Sequence, residues 1–480
     1  MSDPELLRLP AIDLAARVRA GELSPVEVVE AHIRRIERVN PLVNGLVCNR
    51  YEAAREEARA AEREAATGAS TRPLLGVPFT VKEMIELEGM PHTFGSAGRR
   101  GRRASGDATV VARLRAAGAI ALGVTNVPEW GMWYETYNDI YGMTRNPYDV
   151  RRTAGGSSGG EGAIVGAGGS VFGLGSDIGG SVRMPAAFCG VFGHKPTHGL
   201  LPLTGLYPVY AAGPDAAAHR RAPCLTVGTL TRSALDIELL LRVMSGPDGV
   251  DPQAESLSIQ SSAAVSWQGR RVVLLEQPDI ALARAPSADA RAAVQRAGAA
   301  LAQRGAAISY APRNLLQHAG DMWFAALQSA GGPSFSELLG GGRRIALMRE
   351  LTRTSMRRGT YSWPALLFCI GEKIGRRSDR HVQRALQATD RLHARLHELL
   401  GGEGVLILPV HPRVAPRHYA AVLRPFDFLY TAVFNALRVP ATAVPMGFDA
   451  AGLPLAVQAV STRGNDHVTI AAAIALADQR

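Results

Sequence analysis

Lysine is almost missing from this chain. Of its 53 lysine and arginine residues, only Lys82, Lys195 and Lys373 are lysine. Arginine serves wherever a permanent positive charge is enough, so a retained lysine points to something arginine cannot do: burial can strip its proton and leave a base. Drift toward arginine would scatter the survivors at random, yet Lys82 and Lys195 lie in or beside the most distinctive segments of the sequence. Cysteine is scarce as well. Cys48, Cys189, Cys224 and Cys369 are far apart and form no C-x-x-C pair, which argues against a disulfide framework or a zinc ribbon and suits a reducing, cytoplasmic setting. The twelve histidines include no H-E-x-x-H, and no metal or cofactor constellation emerges. No apolar run reads as a membrane span. Residues 196–214 carry no Asp, Glu, Lys or Arg, but repeated Pro and Gly make them irregular loop. The first residues show no basic stretch followed by an apolar one, so no secretory signal is expected.

What is present describes a globular protein. Hydrophobic residues make up 46% and charged residues 20% of 480, enough for a sizeable core and too apolar for disorder. The net charge of +10 raises the question of nucleic acid. The densest basic cluster, Arg99-Arg100-Gly101-Arg102-Arg103, has no interleaved aromatics and no recognisable binding module, so it reads as a solvated loop.

Ser24-Pro25-Val26-Glu27 is a capping box that opens a helix carrying Val29, Ile33 and Ile36 on one face. Residues 52–66 read as a surface helix and 74–81 as a buried strand that delivers Lys82 at its end. Asp107 is expected to cap a helix that stops at Gly118, followed by a strand at 119–124 and a functional loop at 125–129. Strand, helix, strand in this order predicts an α/β layer architecture. Further helices are expected at 233–244, 288–304 and 430–437, and strands at 270–275 and 404–409. Asp466 is expected to cap a last helix. Residues 310–400 read as mostly helical, and within them the apolar run 361–370 reads as core or pocket wall. No repeat or linker interrupts the chain, so a single domain over 1–480 is expected, with 310–400 as a helical elaboration of a core formed by 1–309 and 401–480.

The chemical block is Gly155-Gly156-Ser157-Ser158-Gly159-Gly160, followed by Gly175-Ser176-Asp177-Ile178-Gly179-Gly180-Ser181-Val182-Arg183-Met184-Pro185. Glycine on both sides lets the backbone turn tightly, hold a serine exposed and bring amides together as donors to an oxyanion. A phosphate loop is disfavoured, because neither G-x-x-x-x-G-K-[ST] nor G-x-G-x-x-G in a strand-to-helix setting is present.

This block, continued by Gly193-His194-Lys195-Pro196-Thr197, resembles the amidase signature family. The likeness extends along the chain through Gly76-Val77-Pro78 with Lys82, Gly123-Val124-Thr125-Asn126, Asn146-Pro147, Gly246-Pro247-Asp248, Asn435, Pro440-Ala441 and Gly452-Leu453-Pro454 with Gln458. In motif it is most similar to the fatty acid amide hydrolase-like branch and its bacterial relatives. The resemblance implies a central mixed β-sheet covered by helices on both faces. It also implies a Ser-Ser-Lys triad: Ser181 as nucleophile, Ser157 as bridging serine on a cis peptide and Lys82 as base. The amides of Ile178, Gly179, Gly180 and Ser181 would form the oxyanion hole, supported by Ser158, Asp177 and Arg183. For Lys82 to act near neutral pH its pKa must fall from about 10.4 to about 7, which corresponds to roughly 4–5 kcal/mol of destabilisation of its charge. His194 and His198 are then structural or pocket-lining, Lys195 a structural hydrogen-bonding residue and Lys373 a surface residue.

The expected activity is hydrolysis of a small or hydrophobic acyl amide through an acyl-enzyme, with no cofactor and no nucleic-acid partner. A homodimer is the expected form of any self-assembly. Two other readings compete with this one. The glutaminase component of a tRNA-dependent amidotransferase belongs to the same family. It usually has Gln where this chain has Met184, and it has a Ser-x-Asp-Gln-x-Gly-Pro stretch that residues 207–215 do not match. A non-catalytic scaffold is disfavoured by the intact Lys82, Ser157 and Ser181. Val124 and the segment 435–439 depart from the family pattern and bear on the pocket.

Overall fold

A computed structural model describes residues 2–206, 224–330, 334–340, 342–356 and 358–479. Eleven strands of the described residues form one sheet: β1 (Leu46–Asn49), β2 (Pro78–Lys82), β3 (Ile120–Thr125), β4 (Phe172–Asp177), β5 (Phe192–Lys195), β6 (Thr226–Thr231), β7 (Arg271–Leu274), β8 (Ala307–Tyr310), β9 (Val405–Pro409), β10 (Ala441–Phe448) and β11 (Pro454–Val460). Their order across the sheet is β1-β3-β2-β4-β6-β5-β10-β11-β9-β7-β8. The sheet is mixed. The edge strand β1 pairs antiparallel with β3; β3, β2 and β4 then run parallel, as do β9, β7 and β8 at the far end, and the strands between these two groups pair antiparallel.

Both faces are covered, as the family resemblance implied. Side chains alternate across a strand, and here alternate residues enter different cores. Val272 and Leu274 of β7, with Val405 and Ile407 of β9, join the largest cluster. Val273 of β7, with Leu406 and Leu408 of β9, joins the cluster that holds Trp323, Leu392 and Tyr430. Strands buried on both sides read as continuous apolar runs rather than alternating ones.

The expected helices and strands form within a few residues of their predicted bounds, but two predicted caps do not. The helix Thr109–Ala116 starts after Ala108, and Asp107 instead accepts the Glu88 amide at 2.8 Å and pairs with Arg115. Asp466 is the first residue inside the helix Asp466–Ala475. Its carboxylate is turned away to accept from the Thr197 amide at 2.8 Å and the Thr197 hydroxyl at 2.5 Å. In both cases a tertiary donor outcompetes the local helix end. Ser24 does cap the helix Pro25–Val43, accepting from the amides of Val26 and Glu27.

Between β8 and β9 lie the helices Ala319–Ala330, Phe335–Leu339, Leu347–Ser355, Trp363–Gly375 and Asp379–Leu400, the helical segment expected at 310–400. It packs onto the loops after β2 and β3. Leu339, Ala365 and Cys369 meet Met84, Phe94, Val127, Trp130 and Met132, and the Ser362 amide donates to Glu129 Oε2 at 2.7 Å. The apolar run at 361–370 is thus half core: Ala365, Leu366 and Cys369 are buried while Trp363 and Leu367 face out. The stretch 196–214, read as irregular, is loop as far as Leu206. Its remainder, and with it the segment 207–215 compared with the amidotransferase motif, lies outside the described residues.

Candidate active site

Three parallel strands end side by side. Lys82 closes β2, Thr125 closes β3 opposite it, and Asp177 closes β4. Loops beyond the carboxyl ends of parallel strands are where such sheets hold their chemistry. Ser157 and Ser158 reach the same place from the other side of the chain, at the start of the helix Gly159–Gly166, after a cis Gly156–Ser157 peptide. That helix can approach because Gly160 has no side chain: a Cβ there would overlap the backbone of Asn126. The Ser158 amide donates to the Ser181 carbonyl at 3.1 Å and ties the two serine segments together.

Lys82 is fully buried. Its Nζ lies 2.7 Å from Ser157 Oγ and 2.9 Å from Ser176 Oγ. Burial pushes its pKa down to about 7, against the opposing pull of Asp177 and Glu161. Glu161, one turn into the same helix, accepts from the Thr80 hydroxyl at 2.6 Å and the Thr125 hydroxyl at 2.8 Å, and burial pushes its carboxyl up to about 8. Both shifts run toward the uncharged forms, an amine and a carboxylic acid, the cheaper state for two buried groups. Ser181 is 8% and Ser157 3% exposed, and among the described residues no hydrogen bond joins their hydroxyls.

Asp177 and Arg183 make the frame. Arg183 is completely buried with every donor placed. Nε and Nη2 bind the two Asp177 oxygens at 3.1 and 3.0 Å, Nη2 reaches Asn435 Oδ1 at 2.6 Å, and Nη1 reaches the Thr431 carbonyl and Gln458 Oε1, each at 3.0 Å. Burial alone would raise the Asp177 pKa. The Arg183 charge and its hydrogen bonds, the Lys195 charge and the Val182 amide outweigh it and hold the carboxyl well below the usual range. A buried ion pair is tolerable only when all its hydrogen bonds are made, and here they are.

A model described as Amidase matches residues 27–470 of the chain. The chain belongs to the amidase family. It is 37% identical to fatty-acid amide hydrolase 2 of Homo sapiens, over 98% of this chain and 88% of that protein. It is 40% identical to an acylamidase of Rhodococcus erythropolis over a shorter stretch, 55% of this chain and 54% of that protein. Among solved structures, 6-aminohexanoate cyclic dimer hydrolase superposes with a TM-score of 0.80 at 28% identity, covering 98% of this chain and 96% of that one. This amidase is accordingly a hydrolase acting on amide bonds.

The fold brings Lys82, Ser157, Ser158, Asp177, Ser181 and Arg183 of the amidase into one buried cluster. One expected oxyanion donor is already engaged: the Gly180 amide donates to Asp177 Oδ1 at 2.7 Å. Gly180 has φ of +119°, and a Cβ there would collide with Thr431 Oγ1, so only glycine allows this turn. The amides of Ile178, Gly179 and Ser181 have no acceptor among the described residues. Lys195 and His194 lie outside the cluster of hydroxyls. Lys195 Nζ donates to the Pro196 carbonyl, and His194 bonds Thr442 and Asp466. Lys373 is exposed. Sequence reasoning passed over Ser176 and Glu161. Ser176 stood in plain view beside Asp177, and its strand position turns the hydroxyl toward Lys82.

Proposed function

We propose that this amidase hydrolyses a carboxylic acid amide through an acyl-enzyme on Ser181, with Ser157 and neutral Lys82 as the proton relay. The observation that supports this most is the 2.7 Å approach of Lys82 Nζ to Ser157 Oγ in a water-poor site. An alcohol needs an adjacent base to attack at neutral pH, and an amine with a pKa near 7 is matched to that task. In this reading Lys82 Nζ takes the Ser157 proton while Ser157 Oγ takes the Ser181 proton, and Ser181 Oγ bonds to the amide carbon. Free amides of the loop 178–181 donate to the carbonyl oxygen as it gains charge. The relay then returns the proton to the nitrogen, the C–N bond breaks and the amine leaves. Water attacks the ester by the same route and releases the acid. The hydroxyls of Ser157 and Ser181 draw into hydrogen bonding when substrate fills the site, as catalytic contacts commonly do.

For the acyl group we favour a small or hydrophobic chain. The indole of Trp323 and the ring of Phe428 stand against Gly179, beside the reacting loop, and one relative bears the name fatty-acid amide hydrolase 2. The helical segment at 310–400 would supply the Trp323 side of that wall. Labelling with a serine-reactive fluorophosphonate tests the nucleophile: the wild-type protein is modified on Ser181 and Ser181→Ala is neither modified nor active. A wild-type protein that stays unlabelled, or a Ser181→Ala variant that still hydrolyses amides, ends the proposal. Hydrolysis of short amides, aryl anilides and long-chain acyl amides side by side tests the acyl preference, and a flat profile would refute it.

A further inference from the structure

Four consecutive peptide groups run from Asp177 to Ser181, all trans, and each of their carbonyls has a donor. Asp177 O accepts from Asn435 Nδ2 at 3.0 Å, Ile178 O from Trp323 Nε1 at 2.7 Å, Gly179 O from Thr431 Oγ1 at 2.7 Å and Gly180 O from the Met184 amide at 2.8 Å. In a planar trans peptide the C=O and the next residue's N–H point opposite ways, so a donor held on the oxygen sets the direction of the amide. The four amides steered in this manner are those of Ile178, Gly179, Gly180 and Ser181. The Gly180 peptide is gripped at both ends, since its N–H is bound by Asp177. The Gly179 peptide is gripped only at its carbonyl, by Trp323, and its N–H is left without an acceptor among the described residues.

Three of the four donors come from helices that flank the loop, Arg183–Phe188 and Leu429–Ala436. Trp323 is different. It stands on Ala319–Ala330, in the helical segment between β8 and β9, 145 residues from the carbonyl it holds. The indole is itself held: it is 3% exposed and packs edge-on against Phe428 at 5.0 Å and Phe324 at 4.9 Å.

We propose that Trp323 is a positioning residue, whose indole N–H holds the Ile178 carbonyl so that the Gly179 amide faces the oxygen of the reacting amide. This rests on Ser181 being the nucleophile. Trp323→Phe keeps an aromatic ring in the site and removes the donor. Replacement by benzothienylalanine, with sulfur in place of N–H, keeps the whole bicyclic shape and covers the case in which phenylalanine does not fold. Removing an oxyanion donor outright costs about 10²–10³ in kcat, so misdirecting one should cost about tenfold to a hundredfold. On a short p-nitroanilide both variants should lose that factor in kcat, with KM within about twofold. A trifluoromethyl ketone, which binds as a tetrahedral anion, should weaken by the same factor, whereas a purely structural indole would leave that correlation absent. Either variant, folded by its thermal transition yet keeping kcat and ketone affinity within about twofold, overturns the proposal. So does a loss confined to KM. Ser181→Ala separates the two claims: if it is inactive while the Trp323 variants are unimpaired, only the positioning role fails, and if it is active the nucleophile reading fails and this inference goes with it.

Discussion

Lys82 and Lys195 are both fully buried, both pushed down to about 7 by burial, and both under the influence of Asp177, yet they are equipped for different work. Lys82 faces two hydroxyls, at 2.7 and 2.9 Å. Lys195 faces the Pro196 carbonyl at 2.9 Å and feels the Arg183 charge against it, with Asp177, Asp466 and Cys224 in its favour. A carbonyl has no proton to give, whereas a serine hydroxyl has one. A lowered pKa therefore marks an amine that can act as a base, and only its neighbour decides whether there is anything for it to deprotonate.

The largest test of this contrast is deletion of each amine. Lys82→Met should lower kcat about a thousandfold, in the range of a lost general base. Lys195→Met should stay within about tenfold on the same p-nitroanilide, with folding checked by thermal denaturation. Equal collapse of two folded variants would show that burial, not the hydroxyl neighbour, sets the difference.

A smaller effect is the pH profile. In the proposed relay the working form of Lys82 is neutral, so kcat/KM should rise with pH through about 7 and level off above it, and Lys195→Met should keep that inflection. Stability carries the same signature for both residues. Their folded-state values lie below the ordinary 10.5, so between pH about 7 and 10.5 the unfolded chain holds more protons than the folded one and stability rises with pH. Below about 7 both states are protonated and the slope vanishes. Urea unfolding across this window should show each Met variant losing one proton from the slope. An unchanged slope in Lys82→Met would mean that this amine is charged in the fold.

The smallest effect is expected at Glu161. Its carboxyl is pushed up to about 8 and is largely protonated at neutral pH, so Glu161→Gln removes little charge. The kinetic inflection should move down by less than about one pH unit, since a lost negative neighbour favours the neutral amine. An upward move, or one of several units, would show a working ion pair instead.

Much of this was legible in advance. The scarcity of lysine singled out Lys82, and glycine flanking pointed to Ser157 and Ser181, because local backbone needs are written locally. The strand Phe172–Asp177 was not legible. Two glycines among six residues, buried on both faces, show neither alternation nor strong β-propensity. Asp107 and Asp466 misled as helix caps because a cap is a local bond, and a stronger distant donor took its place. Trp323 carried no signal at all, since nothing near it in the chain relates it to residue 178.

By itself, the sequence determined the family, the α/β class and the inventory of reactive groups, since those rest on residue type and short spacing. The tertiary structure alone decided which buried amine meets a hydroxyl, which loop amide is already taken, and that Asn435, Gln458 and Trp323 brace the site. Apart from the local Gly180–Asp177 bond, those contacts join residues 75 to 275 positions apart, and a hydrogen bond acts over about 3 Å whatever the distance along the chain.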